Sequence, residues 1–266
     1  MEAINRHAIK WIYEAGQVIR EAMSQPLTID TKSNRNDLVT SMDRNIEQFF
    51  AERIRATYSD HLIYGEEGYG DEVTSLQGIV WLIDPIDGTM NFVHQKQHFC
   101  ISIGIYKDGI GEIGLIYDVV ADILYKAMRG KGAYKNDKRL PNLTKEQALE
   151  DSLIGMNHHW LCDNRIADKA AMQQLVKTVR GTRTYGSAAL EFAYVSEGIL
   201  DGYMALGLSG WDVAAGMVLV SEVGGMTTDI DGSTVDLLSK NAILVCNSAV
   251  RTRLMEEFIK PGRKME

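Results

Sequence analysis

The sequence predicts an α+β fold, and three observations predict it. Two N-terminal segments carry apolar residues at helical spacing. A central run of short strands is separated by Gly- and Asp-containing turns. In the C-terminal portion strand-like and helix-like segments alternate. The chain has 266 residues, 45% of them apolar and 24% charged. That is ordinary for a globular protein and enough for a sizeable core. The length fits one large domain or two tightly joined ones.

The first helix is read from Ile4, Ala8, Ile12, Ala15 and Ile19, which form one apolar stripe ahead of Pro26. A second helix follows Asn36-Asp37. Its apolar face is Leu38, Met42, Ile46, Phe49, Phe50 and Ile54, with Asp37 placed to cap its start and Asp43 a turn and a half inside. Both helices are expected to pack on a sheet. HLIYG, residues 61–65, reads as a strand. QGIVWLID, residues 77–84, is a continuous apolar run ending at a carboxylate, which suits a buried strand. CISIGIYKDG, GEIGLIYDVV, DILYKAM and GKGAYKN follow as an antiparallel meander. The polar stretch 138–151 is the expected boundary, dividing the chain into halves 1–140 and 141–266. Beyond it come a strand at SLIGMN, a helix over 163–179, and a helix SAALEFAYVSEG ending at Gly198. A strand DGYMAL, a buried helix DVAAGMVLVSEVGG and a last strand NAILVCN complete the pattern. No internal repeat or low-complexity tract occurs.

Net charge is −8, from 28 basic against 36 acidic residues. This argues against a nucleic-acid binder, which needs a basic face. Anionic small substrates remain open, because a bound cation inverts the local field. Cys100, Cys162 and Cys246 are far apart with no CxxC, so neither a disulfide framework nor a zinc cluster is indicated. Reduced thiols in a cytoplasmic protein are the plain expectation. The first residues lack a secretory apolar region, and no apolar run reaches the length of a membrane span.

The chemistry is concentrated in residues 81–92, WLIDPIDGTMNF. An apolar strand delivers Asp84 at its end, and Pro85 cannot donate to a sheet ladder. Asp87 follows three residues later, where a turn can return its carboxylate beside the first. Gly88 permits close backbone approach. Two adjoining carboxylates repel, and a hard divalent cation such as magnesium between them relieves that repulsion. The amides of Gly88 and Thr89, at a helix start, are suited to phosphate oxygens. Alternatively the two acids serve as turn and cap residues. Other acids extend the set. Glu66-Glu67 lies between glycines after a strand, either as ligands or as a solvated loop. Asp212 follows Trp211 just before a helix, as ligand or N-cap. Asp43 sits beside an apolar stripe, where a boundary salt bridge is the simpler reading.

Together these segments resemble the inositol monophosphatase family of magnesium-dependent, lithium-sensitive phosphatases, over nearly the whole chain. The resemblance is carried by Lys32-Ser33-Asn34 with Asp37-Leu38-Val39-Thr40 and Asp43, by Gly65-Glu66-Glu67, by residues 81–92, by Gly130-Lys131-Gly132-Ala133, by Gly186-Ser187-Ala188-Ala189-Leu190, and by Trp211-Asp212 with the four residues after it. Haloacid-dehalogenase-like phosphatases also end a strand in an aspartate motif, but there the two acids are two residues apart and here they are three.

The resemblance implies a layered α-β-α-β-α sandwich, of the inositol monophosphatase and fructose-1,6-bisphosphatase type, usually homodimeric. It implies two to three Mg2+ ions held by Glu66, Asp84, Asp87, Asp212 and the Ile86 carbonyl. Thr89 and Asp43, assisted by Glu66, would orient or deprotonate the attacking water, with no covalent intermediate. Gly88 and Thr89 would hold phosphate through their amides. The substrate side would comprise Asp87, Arg183, Gly186, Ser187, Ala188, Ala205 and Asp212. The substrate would be a small phosphorylated metabolite, with neither nucleic acid nor membrane as partner. Animal members carry a glutamate where this chain has Ala205, so strict inositol specificity is not implied. The 2′-phosphate of NADP and sugar bisphosphates are the alternatives. A binding module that has kept the fold and lost the chemistry is disfavoured by the intact acids. Arg183 reads either as a contact to a second phosphate or as a structural ion pair. Ser187 reads as a sugar-hydroxyl contact and Lys32 as an edge of the anionic site. His158-His159 are expected in a loop, with His94 and His98 supporting packing.

Overall fold

The computed structural model describes residues 1–23, 29–31 and 38–261, with side chains described outside 29–31 and 38–40. Helix α1 (Glu2–Ala22) comes first, then a hairpin of β1 (Ile29–Thr31) and β2 (Leu38–Thr40), then α2 (Ser41–Thr57). The large sheet is built from β3 (Leu62–Gly65), β4 (Ile79–Asp87), β5 (Cys100–Lys107), β6 (Ile110–Asp118), β7 (Ile123–Met128), β8 (Gly132–Lys135) and β9 (Lys138–Arg139), with α3 (Thr89–His94) between β4 and β5. Its seven strands lie in sequence order, β3 parallel to β4 and the rest antiparallel, as the meander pattern predicts.

The chain then forms β10 (Leu153–Met156), α4 (Lys169–Thr178), β11 (Gly181–Arg183), α5 (Ala188–Glu197), β12 (Gly202–Leu208), α6 (Gly210–Glu222), β13 (Met226–Asp229), β14 (Asn241–Cys246) and α7 (Ser248–Arg253), which runs into a π-helical turn over Leu254–Ile259. The smaller sheet has the order β11-β10-β12-β14-β13 and mixes parallel with antiparallel pairs.

Strand alternation sorts the side chains into three cores. Trp81, Ile83, Ile103 and Leu115 face one way and pack against Ile12, Ile19, Ile46 and Phe50 of α1 and α2. Val80, Leu82, Tyr106 and Ile116 face the other way, onto Phe192, Val195, Val213 and Leu219 of α5 and α6. The same core continues into Tyr203, Ala205, Ile243 and Val245 of the smaller sheet. The outer face of that sheet, Ile154, Met204 and Leu244, packs on Met172, Leu175, Val250 and Phe258. The layers therefore run α-β-α-β-α, as expected. Among the described residues no helix is long and apolar enough to cross a membrane.

Four local expectations are corrected. Helix α2 starts at Ser41, and Leu38 belongs to β2, which pairs Thr40 with Ile29. The β-branched Val39 and Thr40 favour the extended chain there. Asp37 and Lys32 lie outside the described residues. Asp43 is thus the third residue of α2 rather than deep inside it. Strand β4 does not stop at Asp84: Asp84 stands opposite Ser102 and Asp87 opposite Cys100, so a bulge at Pro85-Ile86 absorbs one extra residue. The helix read over 163–179 begins only at Lys169, where Asp168 caps it by accepting from the Ala170 amide at 2.8 Å. The short edge strands β11 and β13 were not foreseen, because segments of three or four residues carry too little periodicity; the C-terminal helix was also missed, although Val250, Leu254, Met255, Phe258 and Ile259 recur at helical spacing.

Candidate active site

The bulge in β4 aims the two aspartates. Asp84 and Asp87 are both buried, at 2% and 7% exposure. Asp84 Oδ1 accepts from the Ile86 amide at 3.0 Å, a bond made within the bulge itself. Gly88 then turns with φ +94°, and α3 starts at Thr89. A side chain at Gly88 would press on the Gly186 and His98 carbonyls at 3.2 Å, so glycine is required on both counts. Gly65 of β3 lies opposite Ile83 of β4, which carries the next residue, Glu66, level with Asp84. Asp212 arrives from the opposite layer. It is the third residue of α6, not the residue before it, and its Oδ2 accepts from the Ser209 amide at 2.7 Å.

These acids are electrostatically one group. Burial pushes the Asp84 carboxyl well above the usual carboxylate range, and Glu66, Asp87, Asp212 and Asp43 push it further. Asp212 is pushed up to about 8 by burial, then by Asp87 and Glu66. Asp87 is also raised by burial, but hydrogen bonds from Ser187, Ala189, Ala188 and Cys100 oppose the rise. Those bonds come largely from the start of α5. The Ser187 hydroxyl donates to Asp87 Oδ2 at 2.7 Å, the Ala189 amide donates to the same oxygen at 2.5 Å, and the Ala188 amide donates to Oδ1 at 3.2 Å. A strand-end carboxylate of one layer is thus docked on a helix N-terminus of the next.

Among the described residues no three acidic, imidazole or thiol side chains converge on one point. Asp87 is drawn to α5, Asp212 to its own helix cap, and Asp84 to the bulge amide. The donor set nonetheless fits a hard divalent cation. It is all oxygen, Asp84 and Asp87 are buried with Glu66 and Asp212 half-buried, and Glu66, Asp87 and Asp212 each raise the protonation of Asp84. Glu66, Asp84, Asp87 and Asp212 can hold such an ion, with the Ile86 carbonyl beside them.

Next to this group, the Thr89 hydroxyl lies 3.3 Å from Asp43 Oδ1 and 3.2 Å from the Ile86 carbonyl oxygen. Asp43 is wholly buried on α2. A hydroxyl held between a carboxylate and a carbonyl is oriented to pass or accept a proton.

A cavity of about 240 Å³ opens beside the acids, lined by Asp87, Asn157, Thr184, Gly186, Ser187, Ala188, Glu191, Tyr203, Leu208 and Asp212. Of the substrate-side residues named from the sequence, Gly186, Ser187, Ala188, Asp87 and Asp212 line it. Ala205 is buried in the core, on β12 between the lining residues Tyr203 and Leu208 but not itself part of the lining. Arg183 is exposed on the edge strand β11, its Nη1 donating to the Thr182 carbonyl at 2.9 Å. The Ser187 hydroxyl is engaged with Asp87 and also accepts from the Leu190 amide at 3.3 Å. His158 and His159 lie exposed on a short 3-10 turn after Asn157, as a loop reading predicts. His94 and His98 are exposed too, so they do not support packing as expected.

Sequence reading missed several residues that shape the site. Asn91 donates through Nδ2 to the carbonyls of His98, at 2.8 Å, and Tyr185, at 2.6 Å. It thereby ties the aspartate segment to the Gly186 turn. Glu191, buried on α5, accepts from the Tyr185 and Gly186 amides at 2.7 and 3.3 Å. Glu47, fully buried on α2, accepts from the Glu67 and Tyr69 amides. A signal for the two glutamates was present: each acid stands within an apolar stripe, where an unsatisfied charge would be costly.

A family model for inositol monophosphatases matches residues 1–263. The chain is 51% identical over 256 residues to inositol-1-monophosphatase of Bacillus subtilis, covering 96% of each. A solved structure of SaIMPase-II bound to inositol monophosphate superposes with a TM-score of 0.87 at 38% identity, covering 97% of this chain and 94% of that one. An IMPase/NADP phosphatase complexed with Mg2+ and phosphate superposes at 0.90 with 26% identity, over 99% and 98%. The layered fold is that of these phosphatases, and the chain belongs to the inositol monophosphatase family.

Proposed function

We propose that the protein hydrolyses small phosphate monoesters, inositol monophosphate first among them, with Mg2+. The observation that carries the reading is the electrostatically coupled group of Glu66, Asp84, Asp87 and Asp212, with Asp84 and Asp87 buried, beside the Thr89–Asp43 pair and an open cavity. Relatives of this chain are named for that activity, and one is seen with Mg2+ and phosphate. Glu66, Asp84, Asp87, Asp212 and the Ile86 carbonyl would hold the divalent ion, which would supply charge neutralisation for the phosphate, an activated water and stabilisation of the leaving alkoxide. The Thr89 hydroxyl, kept in place by Asp43, orients the attacking water and relays its proton, with Glu66 assisting. The Gly88 and Thr89 amides receive phosphate oxygens. Gly186, Ser187 and Ala188 flank the leaving alcohol. Arg183 stands at the outer edge, where a second anionic group of a larger substrate would pass.

The two halves 1–140 and 141–266 then have separate parts. The first supplies most of the acids, and the second closes the site with Asp212 and the substrate-side turn. The same reading carries two to three ions, a homodimer and a cytoplasmic location.

One residue favours a second substrate. Ala205 stands where animal members of the family carry a glutamate, and a methyl group there cannot accept from polyol hydroxyls, which weakens selection for inositol. The 2′-phosphate of NADP is the alternative.

The test is release of inorganic phosphate with Mg2+ from inositol 1-phosphate, NADP and fructose 1,6-bisphosphate, with Asp84→Asn as comparison. Turnover of inositol 1-phosphate that is lost in Asp84→Asn supports the reading. A higher kcat/KM for NADP would assign the second one. Undiminished turnover by Asp84→Asn would overturn the acid assignment.

A further inference from the structure

We propose that Glu47 is a positioning residue for the acidic site: it holds the turn that presents Glu66, and through that turn it sets divalent-ion affinity. The inference rests on the reading of Glu66 as a ligand given above.

Glu47 follows Asp43 by four residues on α2, so the two acids share one helix face. Asp43 faces Thr89, and Glu47 faces the turn after β3. Its Oε2 accepts from the Glu67 amide at 2.6 Å and its Oε1 from the Tyr69 amide at 2.7 Å. Each carboxylate oxygen thus accepts from one of the two residues that bracket Gly68, directly after Glu66. Bonds to an ionised acceptor are short and strong, and a pair of them fixes both distance and orientation.

Gly65 makes the seat possible. A Cβ there would lie 2.5 Å from Glu47 Cδ and 2.6 and 2.7 Å from its two oxygens. Any side chain would drive the carboxylate off the amides. The far side of the turn is tied separately. Arg55 donates to the Tyr69 carbonyl at 2.9 Å and pairs with Asp71 at 3.1 Å, while Asp71 Oδ2 accepts from the Ile63 amide at 2.9 Å. Glu66 thus projects from a loop fixed at both ends.

Stability alone does not account for a glutamate here. Glu47 is fully buried beside Ile46 and Phe50 of the helix core. A buried carboxylate carries a desolvation cost that an apolar residue of similar size avoids. What the carboxylate adds is the position of the turn.

The test is Mg2+ binding by titration calorimetry on metal-stripped protein, together with the Mg2+ dependence of phosphate release. The variants are Glu47→Gln, Gly65→Ala, Asp84→Asn and Glu52→Gln. Glu47→Gln keeps the shape but sets an amide NH2 against a backbone N–H. Gly65→Ala disturbs the same contact without changing a charge. In both, the Mg2+ dissociation constant should rise by about tenfold, the equivalent of one charge-assisted hydrogen bond. The KM for substrate at saturating Mg2+ should stay within about twofold, because the cavity is lined by other elements. Glu52→Gln, exposed on the same helix, should bind Mg2+ like the parent. The proposal is overturned if Glu47→Gln melts earlier yet binds Mg2+ like the parent while Asp84→Asn has lost binding. Glu47 would then be structural only. If Asp84→Asn itself binds Mg2+ undiminished, the metal reading fails first and takes this proposal with it. Should Gly65→Ala not fold, Glu47→Gln alone decides the matter.

Discussion

Replacing Gly104 with alanine should push helix α6 off its sheet and carry Asp212 away from the other acids. The helix lies directly on β5 and β6, at positions where those strands have glycine. A Cβ at Gly104 would stand 2.5 Å from the Ala214 Cβ and 2.9 Å from both the Ala214 carbonyl carbon and the Ala215 nitrogen. Carbon atoms in contact sit about 3.5–4.0 Å apart, so the helix must retreat by about 1 Å. Its backbone cannot yield as a flexible side chain would. The Tyr106 hydroxyl, which donates to the Ala214 carbonyl at 3.0 Å, would lose its bond in the same movement. Overpacking of this kind costs about 1–3 kcal/mol. With an unfolding entropy of about 2.1 cal/mol/K per residue, that is a fall in Tm of roughly 2–5 °C. The functional loss should be larger. Asp212 is only two residues before Ala214, and a 1 Å misplacement of a site residue costs about a hundredfold in rate. The assay is kcat for phosphate release at saturating Mg2+ and substrate, beside a melting curve. A folded Gly104→Ala protein with kcat within twofold of the parent would falsify the argument that the glycine seat of α6 places Asp212.

Two further outcomes follow from the site. Thr89→Ala removes the hydroxyl shared by Asp43 and the Ile86 carbonyl. It should lower kcat by about a hundredfold or more, the range of a proton-transfer contribution, with Mg2+ affinity retained in calorimetry. A parallel loss of Mg2+ binding would move Thr89 from proton handling to the metal site. Burial pushes the Glu191 carboxyl up to about 7, with the Tyr185 and Gly186 amides opposing it. A raised acid binds more protons folded than unfolded. Its stabilising effect is therefore full below its ordinary value near 4.5 and is lost as pH rises through about 7. Glu191→Gln should flatten that part of the Tm-against-pH curve, and an unchanged slope would show that another group titrates there.

Much of the architecture was legible because long elements repeat their pattern. The stripe of α1, the apolar run of β4 and the Gly- and Asp-punctuated meander each show a period over many residues. The Gly198 stop of α5 was legible because a left-handed C-cap favours glycine, and its φ is +78°. The start of α2 was misplaced because a three-residue strand interrupts a stripe that reads as continuous. Pro85 was read as the end of a strand. The structure shows a bulge instead, because the pairing with β5 resumes at Cys100 and carries the chain across the gap.

The site divides in the same way. The sequence by itself singled out Asp84, Asp87, Glu66 and Asp212 as candidate ligands, through local motifs and the family resemblance. It also foresaw the turn at Gly88 and the helix start at Thr89, because glycine acts on its immediate neighbours, whereas the bulge at Pro85-Ile86 came only from the pairing with β5. Only the tertiary structure decided what each carboxylate is bonded to. Asp87 reaches the amides of Ala188 and Ala189, a hundred residues further along the chain. Glu47 secures the turn of Glu66 across twenty residues. Asp212 depends on glycines in strands that precede it by about a hundred positions. Such contacts arise when layers pack face to face. They leave no period in the sequence, because each joins a single residue of one element to a single turn of another.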